Sequence, residues 1–217
     1  MIGTAAVDSI AAANGTYIGT VNLGALSAAG LGSSADLSGG YIDVPVVGSF
    51  VNRTAEVWLQ LDAGGAGCCT SIASSGTWQA QALHWNLVGG NVFEHAVNGQ
   101  GNSNTLGGSF VTDGATWYHL VVTQSAGDTA TYLNGVAVAD NGVNHAGPID
   151  YGNNNLQIGA WNGDRLLDGR IDEFAIYDTA LTASQVSAHY AAGIVPEPST
   201  GLLALLDGIL VLRRRRR

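Results

Sequence analysis

The stretch Trp117 to Asp140, WYHLVVTQSAGDTATYLNGVAVAD, decides the fold. Trp117 to Gln124 is rich in aromatic and β-branched side chains, which suit a pleated, packed strand. Ser125-Ala126-Gly127-Asp128 then supplies turn residues, and Thr129 to Leu133 resumes the strand pattern. Asn134-Gly135 predicts a two-residue hairpin, because both residues accept positive φ. Val136 to Asp140 is the return strand. Similar signals recur at intervals of about 8 to 15 residues, which predicts an all-β, two-sheet sandwich.

Moving outward, Ala55 to Asp62 (AEVWLQLD) alternates. Ala55, Val57, Leu59 and Leu61 face one way, and Glu56, Trp58, Gln60 and Asp62 the other. Tyr41 to Val47 is β-rich, with Pro45 suited to an edge. Trp78 to Val88 and Val92 to Val97 pair through Gly89-Gly90. Leu156 to Ala160 and Gly169 to Tyr177 are the last strands. One short helix follows, over about Ser184 to Ala192. Thr182 and Gln185 form its capping box, and Gly193 is expected to end it.

Length and charge narrow the function. At 217 residues the chain fits one domain and a tail. It has no lysine: its eight basic residues are Arg53, Arg165, Arg170 and the last five residues. Of 17 acidic residues, Glu197 and Asp207 lie in the tail, so up to Val195 fifteen carboxylates face three arginines, a net of −12. Such a body repels phosphate backbones, which excludes nucleic-acid binding. Cys68 and Cys69 are adjacent and lack zinc-type spacing. They read as an incidental loop pair or, in an oxidising compartment, a strained vicinal disulfide. Met1 to Thr4 has neither the basic start nor the apolar core of a signal peptide. The chain is expected to begin inside a domain.

WYHLVVTQSAGDTATYLNGVAVAD, followed by LQIGAWNGDRLLDGRIDEFAIYDTALTASQVSAHY (Leu156 to Tyr190), resembles the LamG-like, concanavalin A-like jelly roll. The shared elements are a W-x-H-L-x-V-T strand, a Y-L-N-G hairpin, an I-G strand and G-x-I-D-E-F-x-I-Y before a helix opening LTASQV. AVDSIAAANGTYIG (Ala6 to Gly19) and GGYIDVP (Gly39 to Pro45) resemble the family's front half more loosely. The resemblance covers about Asp8 to Gly193, with the usual first aromatic strand missing. It makes residues 1–193 the jelly-roll domain. It implies two antiparallel sheets, one concave, and a non-catalytic module for sugars or proteins, often with one structural calcium.

Candidate chemistry follows from residue type and place. Retaining glycoside hydrolysis needs two carboxylates about 5–5.5 Å apart, and hydrolytic relatives carry E-x-D-x-x-E on a strand. That motif is absent. Glu56 and Asp62 lie roughly 20 Å apart along a strand, and Asp172 and Glu173 point to opposite faces. The protein is therefore not expected to be an enzyme. For calcium, the resemblance implies that Asp172 meets a loop near the N-terminus, with Asp8 or Asn14 as candidate loop ligands; the alternative is that Asp172 caps turn amides without metal. For ligand binding, the loop WNGDRLLDG offers Trp161, Asn162, Asp164 and Arg165. Trp58, Trp85 and Tyr132 could stack on sugars or pack in the core.

The last residues, VPEPSTGLLALLDGILVLRRRRR, have three parts. Pro196, Glu197 and Pro198 cannot continue a helix. Gly201 to Leu212 is an apolar run with Asp207 within it, expected to be helical. Arg213, Arg214, Arg215, Arg216 and Arg217 would stay on the cytoplasmic side. Residues 194–217 resemble the PEP-CTERM sorting signal. That implies an exported protein of a Gram-negative bacterium, held transiently in the inner membrane, cut by an exosortase, and delivered to the envelope or extracellular matrix. The combined reading is a binding module for polysaccharide or glycoprotein. The alternatives are a structural matrix protein without a specific ligand and a glycoside hydrolase with no recognisable motif.

Overall fold

The computed structural model describes residues 5–7, 13–28, 31–45, 48–63, 69–76, 80–89, 92–98, 102–125, 128–139, 147–150 and 155–195, with backbone alone at 102–109 and 150. Asp8, Cys68 and the tail from Pro196 to Arg217 lie outside them. No helix among the described residues is long and apolar enough to cross a membrane.

The strands are β1 (Ala5–Ala6), β2 (Gly15–Leu26), β3 (Ser33–Val44), β4 (Ser49–Phe50), β5 (Arg53–Leu61), β6 (Thr70–Ser75), β7 (Leu83–Val88), β8 (Val92–Val97), β9 (Asn102–Ser109), β10 (Trp117–Ser125), β11 (Asp128–Leu133), β12 (Val136–Val138), β13 (Ile149–Asp150), β14 (Leu156–Ile158) and β15 (Gly169–Tyr177). One helix, α1 (Ala183–Ile194), follows. The main sheet runs β12-β11-β10-β5-β15-β3-β14-β6-β7-β8-β9, with antiparallel pairs throughout. β2 lies along β3, β1 joins β2, and β13 pairs with β4.

The sheet curls at β3, which pairs with β15 through Ala35 and Asp36 and with β14 through Ile42 to Val44. Ala35 and Leu37 face the core in its first half, and Ile42 and Val44 in its second. The inward positions change from odd to even across an irregularity in the pairing with β2 that lies between Asp36 and Gly39. The two halves thereby close on one core. Val57, Leu59, Leu61 and Leu120 from one half meet Ile72, Leu83, Trp85, Phe93 and Ile158 from the other. This is the expected sandwich.

The Asn134-Gly135 turn has φ of 52° and 77°, as its sequence requires. Ala55, Val57, Leu59 and Leu61 face the core as read from the alternation. The opposite face of β5 is buried too, because α1 lies across it. Val186 packs on Val121 and Tyr132. Trp58 stacks with His119 at 4.9 Å and with Tyr190 at 5.6 Å, and those two rings lie 6.1 Å from each other. Thr182 caps α1, with reciprocal bonds to Gln185. One expectation is corrected. Gly193 does not end the helix but stays inside it, since an added Cβ there would lie 2.4 Å from the Trp58 ring. Only glycine allows the last turn to settle on the indole, and Val195, in extended backbone, caps the end.

Candidate functional site

The site begins with a row of side chains turned away from the core. Strand pairing places Asp43, Gln157, Ser74, His84 and Ala96 side by side across β3, β14, β6, β7 and β8. Ser71, Asn86 and Glu94 form the next row. Their neighbours Ile158, Leu83, Trp85 and Leu87 point into the core, so period-two alternation turns this row outward. Ser71, Ser74, His84 and Asn86 are nevertheless buried. The loop between β14 and β15 folds back over them. The Ser74 hydroxyl donates to the Ala160 carbonyl at 2.8 Å. The Ser71 amide donates to the Arg165 carbonyl at 2.9 Å. Ser71 Oγ and Asn86 Oδ1 have no partner among the described residues.

The loop is a tight structure. Trp161 and Asp164 exchange backbone hydrogen bonds of 2.8 and 2.9 Å. Between them Asn162 and Gly163 take φ of 51° and 75°, a left-handed pair of the hairpin type. The Gly163 amide donates to Gln157 Oε1 at 2.9 Å. Asp43 receives Asn155 Nδ2 at 2.5 Å and Gln157 Nε2 at 3.5 Å. Leu167, buried in the core, anchors the far side, and its amide donates to the Gly159 carbonyl at 2.9 Å. The Trp161 indole N–H donates to His84 Nε2 at 3.1 Å. That bond requires a ring nitrogen without a proton. Burial, followed by the charge of Arg165, holds His84 neutral by pushing its pKa down to about 4. The Arg165 guanidinium carbon sits 4.3 Å from the centre of the Trp161 ring.

The four residues expected to bind ligand, Trp161, Asn162, Asp164 and Arg165, are thus brought together in one turn. The turn itself is exposed, while Trp161 is half-buried. Trp161 differs from a bare stacking platform: Arg165 lies over its ring, and its N–H is taken by His84. The other aromatic candidates are packing residues. Trp58 lies under α1. Trp85 donates to His95 Nδ1 at 2.8 Å and meets Phe93 edge-on. Tyr132 is buried against Val186. His84, Ser71, Ser74 and Asn86 escaped the sequence reading. The alternation in Leu83 to Val88 does place His84 and Asn86 off the core face.

Of the residues expected to meet around calcium, Asn14 and Asp172 are not brought together. Asn14 precedes β2, whereas Asp172 accepts a hydrogen bond from Ser27, just beyond the other end of β2. The register agrees: Ile171 lies level with Ala35, which lies level with Leu23. Twelve extended residues separate the two ends by roughly 35–40 Å. Asp172 Oδ1 takes the Glu173 amide at 2.9 Å, and burial raises the Asp172 pKa, opposed by its bonds from Ser27 and Glu173. That arrangement fits the turn-capping alternative. Asp8 lies outside the described residues.

Glu56 is not placed to act on a substrate. It is buried beneath α1, where its Oε1 accepts the Tyr177 hydroxyl at 2.6 Å. His189 Nδ1 lies 3.0 Å and His119 Nε2 3.6 Å from its Oε2. Burial pushes its carboxyl up, but the hydrogen bonds from His119, Tyr177 and His189 outweigh burial and hold the pKa below its usual value.

Residues 36–187 match the family described as the concanavalin A-like lectin/glucanases superfamily. No curated protein matches the sequence significantly. Several solved structures share the fold. Domain 4 of the extracellular arabinanase AbnA from Geobacillus stearothermophilus, solved with arabinotriose, has a TM-score of 0.61 at 21% identity, over 80% of this chain and 86% of that one. The heptameric SAP-like pentraxin of Limulus polyphemus has a TM-score of 0.51 at 19% identity, over 66% and 71% of the two chains. The binding domain of Paraclostridial Mosquitocidal Protein 1 has a TM-score of 0.62 at 17% identity, over 86% of this chain and 50% of that one. At such identities the likeness is one of fold.

The His84–Trp161 bond makes a pH prediction. The folded pKa of about 4 lies below the ordinary 6.5, so the neutral ring belongs to the folded state. Its stabilisation is present above pH 6.5 and is lost as pH falls through 6.5 to about 4. The melting temperature of the wild type should fall relative to that of His84→Gln over that window, because glutamine keeps an acceptor and does not titrate. Melting curves that stay parallel from neutral to acid pH would contradict the assignment.

Proposed function

This chain belongs to the concanavalin A-like lectin/glucanases superfamily, and we propose that it is an exported, non-catalytic binding module for a saccharide or the glycan of a glycoprotein. The observation that carries this reading is the gathering of Trp161, Asn162, Asp164 and Arg165 into one exposed turn, fixed over a polar sheet face. Saccharide sites pair an aromatic surface with a few oriented donors and acceptors, and the turn supplies both. The arabinanase domain, a module of similar fold solved with arabinotriose, supports the ligand class. The non-catalytic reading rests on two points. The strand motif of hydrolytic relatives is missing, and Glu56 is committed to Tyr177, His189 and His119 under α1. A general acid or base must reach the proton it transfers. A glycan panel that includes arabinotriose should yield a ligand whose affinity falls about ten-fold or more in Trp161→Ala. Trp161→Phe should show a smaller loss. Melting curves of both variants serve as folding controls. Release of reducing ends from the bound glycan would overturn the non-catalytic reading, and the absence of any glycan ligand would favour a purely structural role.

We further propose that the tail acts as a PEP-CTERM sorting signal recognised by an exosortase, with the inner membrane as a transient station and the cell envelope or extracellular matrix of a Gram-negative bacterium as the destination. The order of Pro196-Glu197-Pro198, the apolar run to Leu212 and the arginines Arg213 to Arg217 supports it. In a host with an exosortase, replacing the five arginines with serine should release or misplace the protein. Unchanged fractionation between membrane, envelope and medium would remove the sorting reading.

A further inference from the structure

We propose that the turn at Trp161 to Arg165 recognises a carboxylate on its saccharide, with Arg165 as the pairing group; the inference rests on the saccharide reading above. Up to Val195 the chain has only three arginines and no lysine, against fifteen carboxylates. Two of the arginines are engaged internally. Arg53 is buried and donates to the Phe50 carbonyl at 2.9 Å and to Gln124. Arg170 donates to Gln60 Oε1 at 2.8 Å and lies 4.0 Å from Asp36. Arg165 is exposed, and among the described residues no carboxylate lies within ion-pairing distance of its guanidinium. Even Asp164, its neighbour, directs Oδ1 to the Arg165 amide at 2.8 Å.

The arginine is also held in place. Its φ of 50° is a left-handed conformation that costs a non-glycine residue about 1 kcal/mol. The bond from Ser71 to its carbonyl and the contact with Trp161 maintain it. Guanidinium stacked on a ring keeps its donors in its own plane, a fork that matches a carboxylate with two parallel hydrogen bonds. A neutral sugar makes no use of that charge. The net −12 of the body sets the kind of acid. Charges beyond about 8 Å are screened at physiological salt, but a dense polyanion would meet the acidic surface at many points. The fitting ligand is a uronate flanked by neutral sugars.

The test is calorimetric titration of the full chain with a uronic-acid disaccharide, cellobiouronic acid, and with its neutral counterpart, cellobiose. The acid should bind about ten-fold more tightly, and the advantage should shrink at high salt. Arg165→Gln, checked for an unchanged melting temperature, should lose the preference, so that its affinities for the two sugars become equal, while Arg165→Lys should keep part of it. Equal affinity of the wild type for the two sugars, or a preference that survives in Arg165→Gln, overturns the carboxylate assignment alone. Binding of neither sugar by the wild type, together with no hit on a wider glycan panel, overturns the saccharide reading and this inference with it.

Discussion

The structure depends on one strand serving two sheets. Along one edge β3 carries β2. Along the other it pairs first with β15 and then with β14, so the two halves of the sandwich diverge from it. A regular strand cannot present inward side chains to both halves, because its period of two fixes which positions face the core. The irregularity between Asp36 and Gly39 solves this. Beside it β2 passes so close that a Cβ on Gly40 would lie 2.3 Å from the Ile18 carbonyl oxygen. The functional loop is a consequence of the same strand. β14 is three residues long and is held between β3 and β6, and the turn at Trp161 springs directly from its end.

On the other half of the sandwich, the outer face of β5 and β10 is not left to water. It carries Glu56 and His119, which would suit a solvated face, yet both are buried beneath α1. A buried carboxylate is costly unless its oxygens are satisfied. Tyr177, His189 and His119 satisfy them from β15, α1 and β10. Apolar packing of Val186 and the stacked Trp58 supply the remainder of the interface. The Thr54 hydroxyl fixes the approach to the helix, donating to the Thr179 carbonyl at 2.9 Å and accepting from the Leu181 amide at 2.8 Å. The helix therefore has a defined seat at the end of the described residues.

Much of this was legible in the chain. β10, β11 and β12 announce themselves through β-branched runs and Asn134-Gly135, and α1 through Thr182 and Gln185. β2, the first half of β3, β6 and β9 are the strands that the sequence does not announce. GTYIGTVNLGAL, TSIASS and NSNTLGGS are rich in Gly, Ser and Asn, which carry little strand signal of their own and take their structure from their partners. Gly193 reads locally as a helix stop, and only Trp58, far off in sequence, keeps it helical. The composition of the loop pointed to Trp161 and Arg165, but not to the packing of one on the other or to the role of His84. Asn14 and Asp172 failed as a pair because a motif does not say at which end of a long strand two segments meet.

The most direct test of the shared strand is a pair of glycine substitutions compared by thermal melting. Gly40→Ala places a methyl group against backbone, whereas at Gly89 an added Cβ meets nothing within 4 Å. The account requires Gly40→Ala to destabilise the fold by about 1–3 kcal/mol or more, a fall of roughly 2–4 °C per kcal/mol for a chain of this size, while Gly89→Ala stays close to wild type. Equal melting temperatures for the two variants would contradict the close passage of β2 over β3, and with it the claim that one kinked strand holds both sheets together.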